Sequence, residues 1–573
     1  MIGNATSTAP APVEHPDATS TAAIDRALAE LKDGARRLVS SSLDDRLRLL
    51  EACIERTGSL YGQWIELGQQ AKQTLGSAVG YAEEALGGPV CAMRFLHLTA
   101  ATLDEIRRGR EPGLPGTPRE VHGQWRVPVF PTRQLFDSLV FMGLRAETWL
   151  QPGVAQGAMF GDAAVRLRRE VSSPPHVELV LGAGNVSSIP VTDALTKIFH
   201  QDCAVLLKMN PVNDYLGGVL EAALAPVIQA GWLRVVYGGA EQGAYAAGHA
   251  GTDSVHITGS TQSHDVIVWG RDLEERRRRQ QAGQPLLNKP ITSELGNVTP
   301  WIIVPGKYSA RQLRSQAEGV VAAICNNASF NCIAVKMLIT WRHWEQRSEF
   351  LDLVESILRA TPTRMAYYPG ALDRFRKFAG FEPSHQAQGH LPWILRRNVA
   401  IDEQPVLFRE ESFVCVTGET SLDGDSPADF LDRAVAFAND QMTGTLAAGI
   451  TVPDGFRQSQ PERFDAALRR LRYGTVGVNV WPGVAFALMS TPWGGYPGAT
   501  LIDVQSGIGS VHNTYLLDRT EKTVVHSPLC QFPKPIWFST HRCPDQVTAA
   551  LCRLYARPSI TRIPPLLWNA LRG

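Results

Sequence analysis

Apolar residues recur every three or four positions from about Thr21 to Gly109, as in Leu28, Leu31 and Leu38 and again in Leu47, Leu50 and Ile54. That spacing predicts a helical lead-in. Pro112, Pro115 and Pro118 end it, and Val127, Val129 and Phe130 begin a shorter strand-like run bounded by Pro131. Strand hairpins are expected between Phe141 and Glu170. From Val177 the pattern changes to continuous apolar runs of strand length, each followed by a helical stretch. Val177 to Leu181 precedes a helix over Val191 to His200, Cys203 to Lys208 precedes a helix over Gly217 to Ala230, and Leu233 to Tyr237 precedes a helix near Glu241 to His249. Ser254 to Thr258 closes the series. Strand, helix, strand is a parallel crossover unit, and its repetition predicts a doubly wound α/β sheet.

A second α/β rhythm starts at Trp301 to Val304 and continues to about Gly498, so a second domain is expected, in keeping with a chain of 573 residues, too long for one core. Leu273 to Gln281 carries four consecutive arginines after two glutamates and reads as a solvated helix or insertion. Pro and aromatic residues crowd the tail after Gln531 without usable period. The first twenty residues are rich in Ala, Thr, Ser and Pro, lack the features of a signal peptide, and read as disordered. No apolar run approaches the roughly 18 residues that span a bilayer.

Charge narrows the partners. Lys plus Arg total 56 and Asp plus Glu total 56, so no net field favours a polyanion, and nucleic acid loses its usual support. A small-molecule partner is expected. Nine cysteines without CxxC spacing fit a reducing compartment, hence a cytoplasmic protein, better than a disulfide framework.

One of those thiols stands out. Cys332 lies between an Ala/Ser/Asn-rich turn and the β-type run Ile333 to Val335. A free cysteine there is commonly a small core residue, so a chemical role depends on partners elsewhere. Gly182 to Asn185 follows the first parallel strand, Gly259 and Ser260 open a helix after the strand Ser254 to Thr258, and such a turn attracts phosphate through backbone amides and the helix dipole.

These stretches, in order, resemble the aldehyde dehydrogenase superfamily across about Val177 to Pro528. Asn327 to Lys336 is similar to the family's nucleophile segment around Cys332, with Ser329 and Phe330 where Gly and Gln are usual. Glu294, in Ser293-Glu294-Leu295-Gly296-Asn297, resembles the family's general base and precedes Cys332 by 38 positions. Asn185 resembles the amide that serves the oxyanion, and its distance from Lys208 matches the family's spacing. Lys208 to Pro211 corresponds to the stretch that holds the adenosine ribose, and Glu410 to Phe413 to the one that holds the nicotinamide ribose through Glu411, with Phe413 beside it. Gly474 to Asn479, Pro492 to Tyr496 and Glu521 to Val525 complete the series.

The resemblance implies a Rossmann-like cofactor domain over 21–140 and 171–300, a catalytic α/β domain over 301–500, a small β oligomerisation arm over 141–170 and 510–530, and a C-terminal extension over 531–573. It implies NAD or NADP as cofactor, an aldehyde as substrate, and catalysis by Cys332, Glu294 and Asn185, with Lys208, Gly259, Ser260, Glu411 and Phe413 at the cofactor and no metal. It further implies a homodimer or homotetramer in which the arm strand pairs with a neighbour's C-terminal strand. Pro211 replaces the glutamate that would disfavour a 2′-phosphate, so the choice between NAD and NADP stays open. His264, Val414, Cys415 and Met337 also depart from the family pattern. Two rival readings remain: a CoA-dependent acyl reductase or acylating aldehyde dehydrogenase, and a non-catalytic binding protein on the same fold. Phe330, Trp481 and Phe486 are candidates for the walls of an apolar substrate tunnel.

Overall fold

The computed structural model describes residues 13–168, 173–383 and 389–573. Helices Thr21–Ser40, Leu43–Ala71 and Cys91–Arg107 form the lead-in. The first is capped by Ser20 and buries Ile24, Leu28, Leu31, Ala35 and Leu38. The second opens with a capping box between Ser42 and Asp45, which satisfies amides that a helix start leaves unpaired. Residues 1–12 of the expected disordered tail lie outside the described residues. Residues 13–20 differ from that expectation: the Thr19 amide donates to the Tyr237 carbonyl at 3.1 Å, and His15 pairs with Asp214, so this stretch runs along the five-stranded sheet.

Five parallel strands form that sheet in the order Leu233–Val236, Cys203–Lys208, His176–Leu181, Ser254–Gly259 and Ile291–Leu295. Covered on both faces, the central strands read as unbroken apolar runs. The strand order reverses beside His176–Leu181. Ligands bind such sheets at the carboxyl ends of the strands near the reversal, where Lys208, Gly259, Glu294 and the turn leading to Asn185 all lie.

A ten-stranded sheet makes up the second layer system. Seven strands are parallel, in the order Thr520–His526, Thr475–Val478, Ala447–Thr451, Thr299–Ile303, Val335–Trp341, Val416–Leu422 and Ile394–Arg396. Arg145–Leu150, Gln124–Phe130 and Arg119–Val121 extend it antiparallel from Thr520–His526. The arm strand thus pairs with the C-terminal strand of its own chain, whereas the resemblance assigned that edge to a neighbour. The Thr148 and Thr523 hydroxyls meet at 3.2 Å across this seam, and the Arg126 guanidinium, paired with Asp465 at 2.6 and 2.9 Å, lies 3.9 Å over the Trp149 ring. After Leu150 the chain forms a short helix, Asp162–Leu167, in place of a second hairpin strand.

The arginine-rich stretch is a helix, Leu273–Ala282, with none of its residues buried. The tail also holds two helices, Pro544–Ala556 and Ile563–Ala570, which pack on Leu43–Ala71, Ala78–Ala85 and the segment around Phe136 and Val140. Among the described residues no helix is long and apolar enough to cross a membrane.

Candidate active site

Helix Ala310–Cys325, opened by a capping box at Ser309 and Gln312, ends at Asn326 and delivers the chain into the turn before Cys332. Asn327, Ala328 and Ser329 take φ values of 52°, 54° and 68° in succession. Non-glycine residues pay roughly 1–2 kcal/mol each for this left-handed region, so the turn requires outside support. Two groups give it. Buried Lys336, the first polar residue of the following strand, donates to Ser329 Oγ at 2.8 Å and to the Val414 carbonyl at 2.8 Å. Asn327 donates to the carbonyls of Asn185 and Phe330 at 2.8 and 2.9 Å, while its own oxygen accepts from Lys72 at 2.9 Å and the Tyr367 hydroxyl at 3.0 Å. A hydroxyl held by a buried lysine therefore stands where the family has glycine.

Lys72 is itself buried and paired with Glu84 at 2.8 Å. It ties the helical lead-in to the turn before Cys332 and to Asn185, whose carbonyl it approaches at 3.3 Å. Neither Lys72 nor Tyr367 belongs to any motif in the sequence, and a single lysine at a helix end carries no signal of such a role. Asn327 lay inside the recognised stretch and could have been chosen, since Asn is among the few residues that tolerate a left-handed turn.

Cys332 Sγ lies 3.6 Å from Glu294 Oε1, a sulfur–oxygen contact between the loop that precedes the Val335–Trp341 strand and the last strand of the cofactor sheet. The two residues come from different sheets. Both face a cavity of about 100 Å³ lined also by Asn185, Phe141, Trp481, Phe486, Trp493 and Trp537. Burial raises the Glu294 carboxyl to about 8, helped by the charge of Asp193. Burial likewise pushes the Cys332 thiol well above its ordinary value, and the carboxylates of Glu294 and Glu411 add to this. The thiol is therefore held protonated beside an acid that can take its proton once ionised.

Asn185 Nδ2 donates to the Phe330 carbonyl at 3.2 Å, which fixes the amide at the cavity wall. One of its two amide hydrogens is used there and the second remains for a ligand. Trp481 and Phe486 line the cavity as expected, but Phe330 does not: its ring is 1 % exposed beneath the turn, 5.0 Å from Tyr367, 5.7 Å from Tyr368 and 5.9 Å from Phe413. The aromatic ring in the usual glutamine position is core.

Glu411 lies against Gly296, where a β-carbon would come within 1.8 Å of its carboxylate, so any larger residue at 296 would displace that carboxylate. Burial pushes the Glu411 carboxyl up, opposed by Lys336 and Arg374. Its Oε1 is buried and accepts no hydrogen bond among the described residues. Phe413 takes a left-handed φ of 42° and packs 5.0 Å from Tyr368. Lys208 ends its strand, brought down to about 8 by burial, against the pull of Asp214. Ser260 caps the exposed start of helix Thr261–Trp269 by accepting from the Ser263 amide at 3.1 Å, directly after Gly259. His264, in place of a glycine, is fully buried inside that helix and takes no part in its exposed end.

A parallel nucleotide-type sheet facing a second parallel sheet, with a thiol and a carboxylate meeting between them, is the aldehyde dehydrogenase fold. No family model matches the chain, and no curated protein matches it. Among solved structures, it is similar to an NAD-dependent aldehyde dehydrogenase from Sinorhizobium meliloti, at 16% identity and a TM-score of 0.59 over 89% of this chain and 87% of that one. It is also similar to aldehyde dehydrogenase C from Pseudomonas syringae, a mutant complexed with NAD+ and octanal, at 15% identity and a TM-score of 0.60 over 89% of each chain. A third is the NADP-dependent glyceraldehyde-3-phosphate dehydrogenase of Bacillus halodurans, complexed with NADP, at 16% identity and a TM-score of 0.57 over 89% and 92%.

Proposed function

We propose that the protein is an NAD- or NADP-dependent aldehyde dehydrogenase of a divergent branch of the superfamily, oxidising an apolar aldehyde to its carboxylic acid. The observation that carries this is the 3.6 Å approach of Cys332 Sγ to Glu294 Oε1 at the wall of an aromatic-lined cavity. Glu411, whose buried Oε1 has no hydrogen-bond partner among the described residues, fits the hydroxyls of a nicotinamide ribose. Lys208 and the Gly259–Ser260 helix start fit the adenosine ribose and the pyrophosphate.

The chemistry follows from what each group can do. Ionised Glu294 accepts the Cys332 thiol proton, and the thiolate adds to the carbonyl carbon to give a hemithioacetal alkoxide. The free amide hydrogen of Asn185 and the Cys332 backbone N–H stabilise that oxygen. NAD or NADP, held by Glu411, Lys208 and the Gly259–Ser260 turn, would supply the acceptor for the hydride of that carbon, and Cys332 would then carry the acyl group as a thioester. Glu294, after passing its proton to solvent, deprotonates water. The hydroxide attacks the thioester carbon, the thiolate leaves, and the acid is released. A carboxylate placed against the thiol supports water over CoA as the acyl acceptor, since CoA resolves a thioester without a general base.

Formation of reduced cofactor from apolar aldehydes, with NAD and NADP separately and with or without CoA, tests the reading. Turnover is expected without CoA and is expected to vanish in Cys332→Ala. Undiminished turnover in that variant refutes the covalent route. For Asn185→Ala a fall in kcat of about 10²–10³-fold is expected, the usual effect of removing one oxyanion donor. A fall in affinity alone would assign Asn185 to substrate binding.

A further inference from the structure

The C-terminal helix Ile563–Ala570 is apolar at every position but Asn569. Ile563 and Leu566 are buried against the body of the protein, yet Trp568 is 67% exposed, Leu571 just beyond the helix 54%, and Ile560 just before it 68%. A helix apolar all round is ordinarily buried all round, so the outward face lacks its cover. This helix packs against the segment Asp137–Val140, which adds Leu139 at 44% exposure and Met142 at 42% to the same side of the molecule.

The charge around this patch is predominantly positive. From Pro544 to Gly573 the chain carries Arg553, Arg557, Arg562 and Arg572 against the single acidic residue Asp545. From Val121 to Ala146 the sole carboxylate is Asp137, which is buried on Arg94, whereas Arg133 and Arg145 are exposed. The zero net charge of the whole chain conceals this local excess. A second copy seated on the patch through a two-fold axis would set arginine against arginine. A surface that is apolar inside and anionic at its rim satisfies both features together.

We infer that this face docks on an anionic lipid surface, with Trp568, Leu571 and Ile560 entering the interface and the arginines at the headgroups. The position relative to the candidate active site gives the docking a use. Phe141, between Leu139 and Met142, lines the cavity beside Cys332, as do Ile536 and Trp537 at the start of the tail. Resting on the proposed aldehyde oxidation, the substrate class is then an aldehyde of long alkyl chain, held in the bilayer and passed from its surface to the cavity.

Co-sedimentation of the full-length protein with vesicles tests the docking without reference to catalysis. Binding is expected to phosphatidylcholine vesicles containing phosphatidylglycerol, at least about tenfold stronger than to phosphatidylcholine alone, and to weaken as salt rises. The double variant Trp568→Ser/Leu571→Ser is expected to lose about tenfold or more, as burial of two large apolar side chains implies. Arg557→Glu/Arg572→Glu is expected to erase the preference for anionic lipid. Both variants should oxidise a short soluble aldehyde like the parent, and a parent inactive on every aldehyde yet bound to vesicles would refute the catalytic reading alone. No binding to anionic vesicles at low salt overturns the docking, as does a concentration-dependent dimer abolished by Trp568→Ser/Leu571→Ser.

Discussion

Glu294→Gln is expected to give one stoichiometric burst of reduced cofactor followed by steady turnover slowed by about 10²–10⁴-fold, the range for loss of a general base. The asymmetry arises from the positions of the two groups. The thiol is held protonated first by burial and then by the carboxylates of Glu294 and Glu411. Removing the Glu294 charge lowers that barrier, so the thiol loses its proton to solvent in place of Glu294, and addition of the thiolate and the single hydride transfer survive. Hydrolysis of the thioester does not, because glutamine cannot take a proton from water. In the parent protein, activity should rise with pH through about 8, where buried Glu294 ionises, and the variant should lack that limb. Stability should carry the opposite sign. The folded state holds the Glu294 proton from its ordinary value of 4.5 up to about 8 while the unfolded chain has released it, so the parent should lose stability as pH rises across that window and the variant should not. Rapid-mixing absorbance of the reduced cofactor checks the burst. Fast linear turnover in Glu294→Gln, with no burst, would remove Glu294 from the hydrolytic step.

The parts of this fold that were legible in the sequence are those whose causes are local. Continuous apolar strands such as Cys203–Lys208 and periodic helices such as Ile189–Gln201 advertise themselves because every residue in them faces the same kind of neighbour. Cys332 and Glu294 were found as motifs, and their approach in space is a consequence of two separate sheets packing together, which no spacing along the chain encodes. The seam between Thr148 and Thr523 joins residues 375 positions apart, so the closure of the arm on its own chain could not be read from either strand. Lys336 shows another limit. In sequence it is the polar end of an apolar run, and only the left-handed turn at Asn327, Ala328 and Ser329 reveals why a lysine is buried there. Phe330 misled for the same reason, since an aromatic ring beside a nucleophile fits a tunnel wall and a core equally well until its neighbours are known. The tail gave no period because its helix Ile563–Ala570 has no polar face from which a period could be measured.

Arg94→Met is expected to destabilise the protein by about 3–5 kcal/mol, the typical result of removing one partner of a buried ion pair. Arg94 and Asp137 have no exposed surface at all. The guanidinium donates to Asp137 at 2.7 and 3.1 Å, to the Tyr555 hydroxyl at 2.8 Å and to the Leu488 carbonyl at 3.0 Å, and it stacks 5.2 Å from the Phe141 ring. Four separate segments thus converge on one side chain: the lead-in helix, the Asp137 loop, the approach to the Thr520–His526 strand, and the tail. Methionine fills similar volume but leaves Asp137 with only Thr132 as a partner, at 2.6 Å to the hydroxyl. The double variant Arg94→Met/Asp137→Leu should recover most of the loss, because a neutral pair leaves no charge stranded. Because Tyr555 anchors helix Pro544–Ala556, the single variant should also open the tail to trypsin at Arg553 before the body of the protein unfolds. Denaturant titration with limited proteolysis measures both effects. If the double variant proves no more stable than Arg94→Met, the cost lies in lost packing around Phe141 and Tyr555, and the ion pair is not what holds the tail over the cavity.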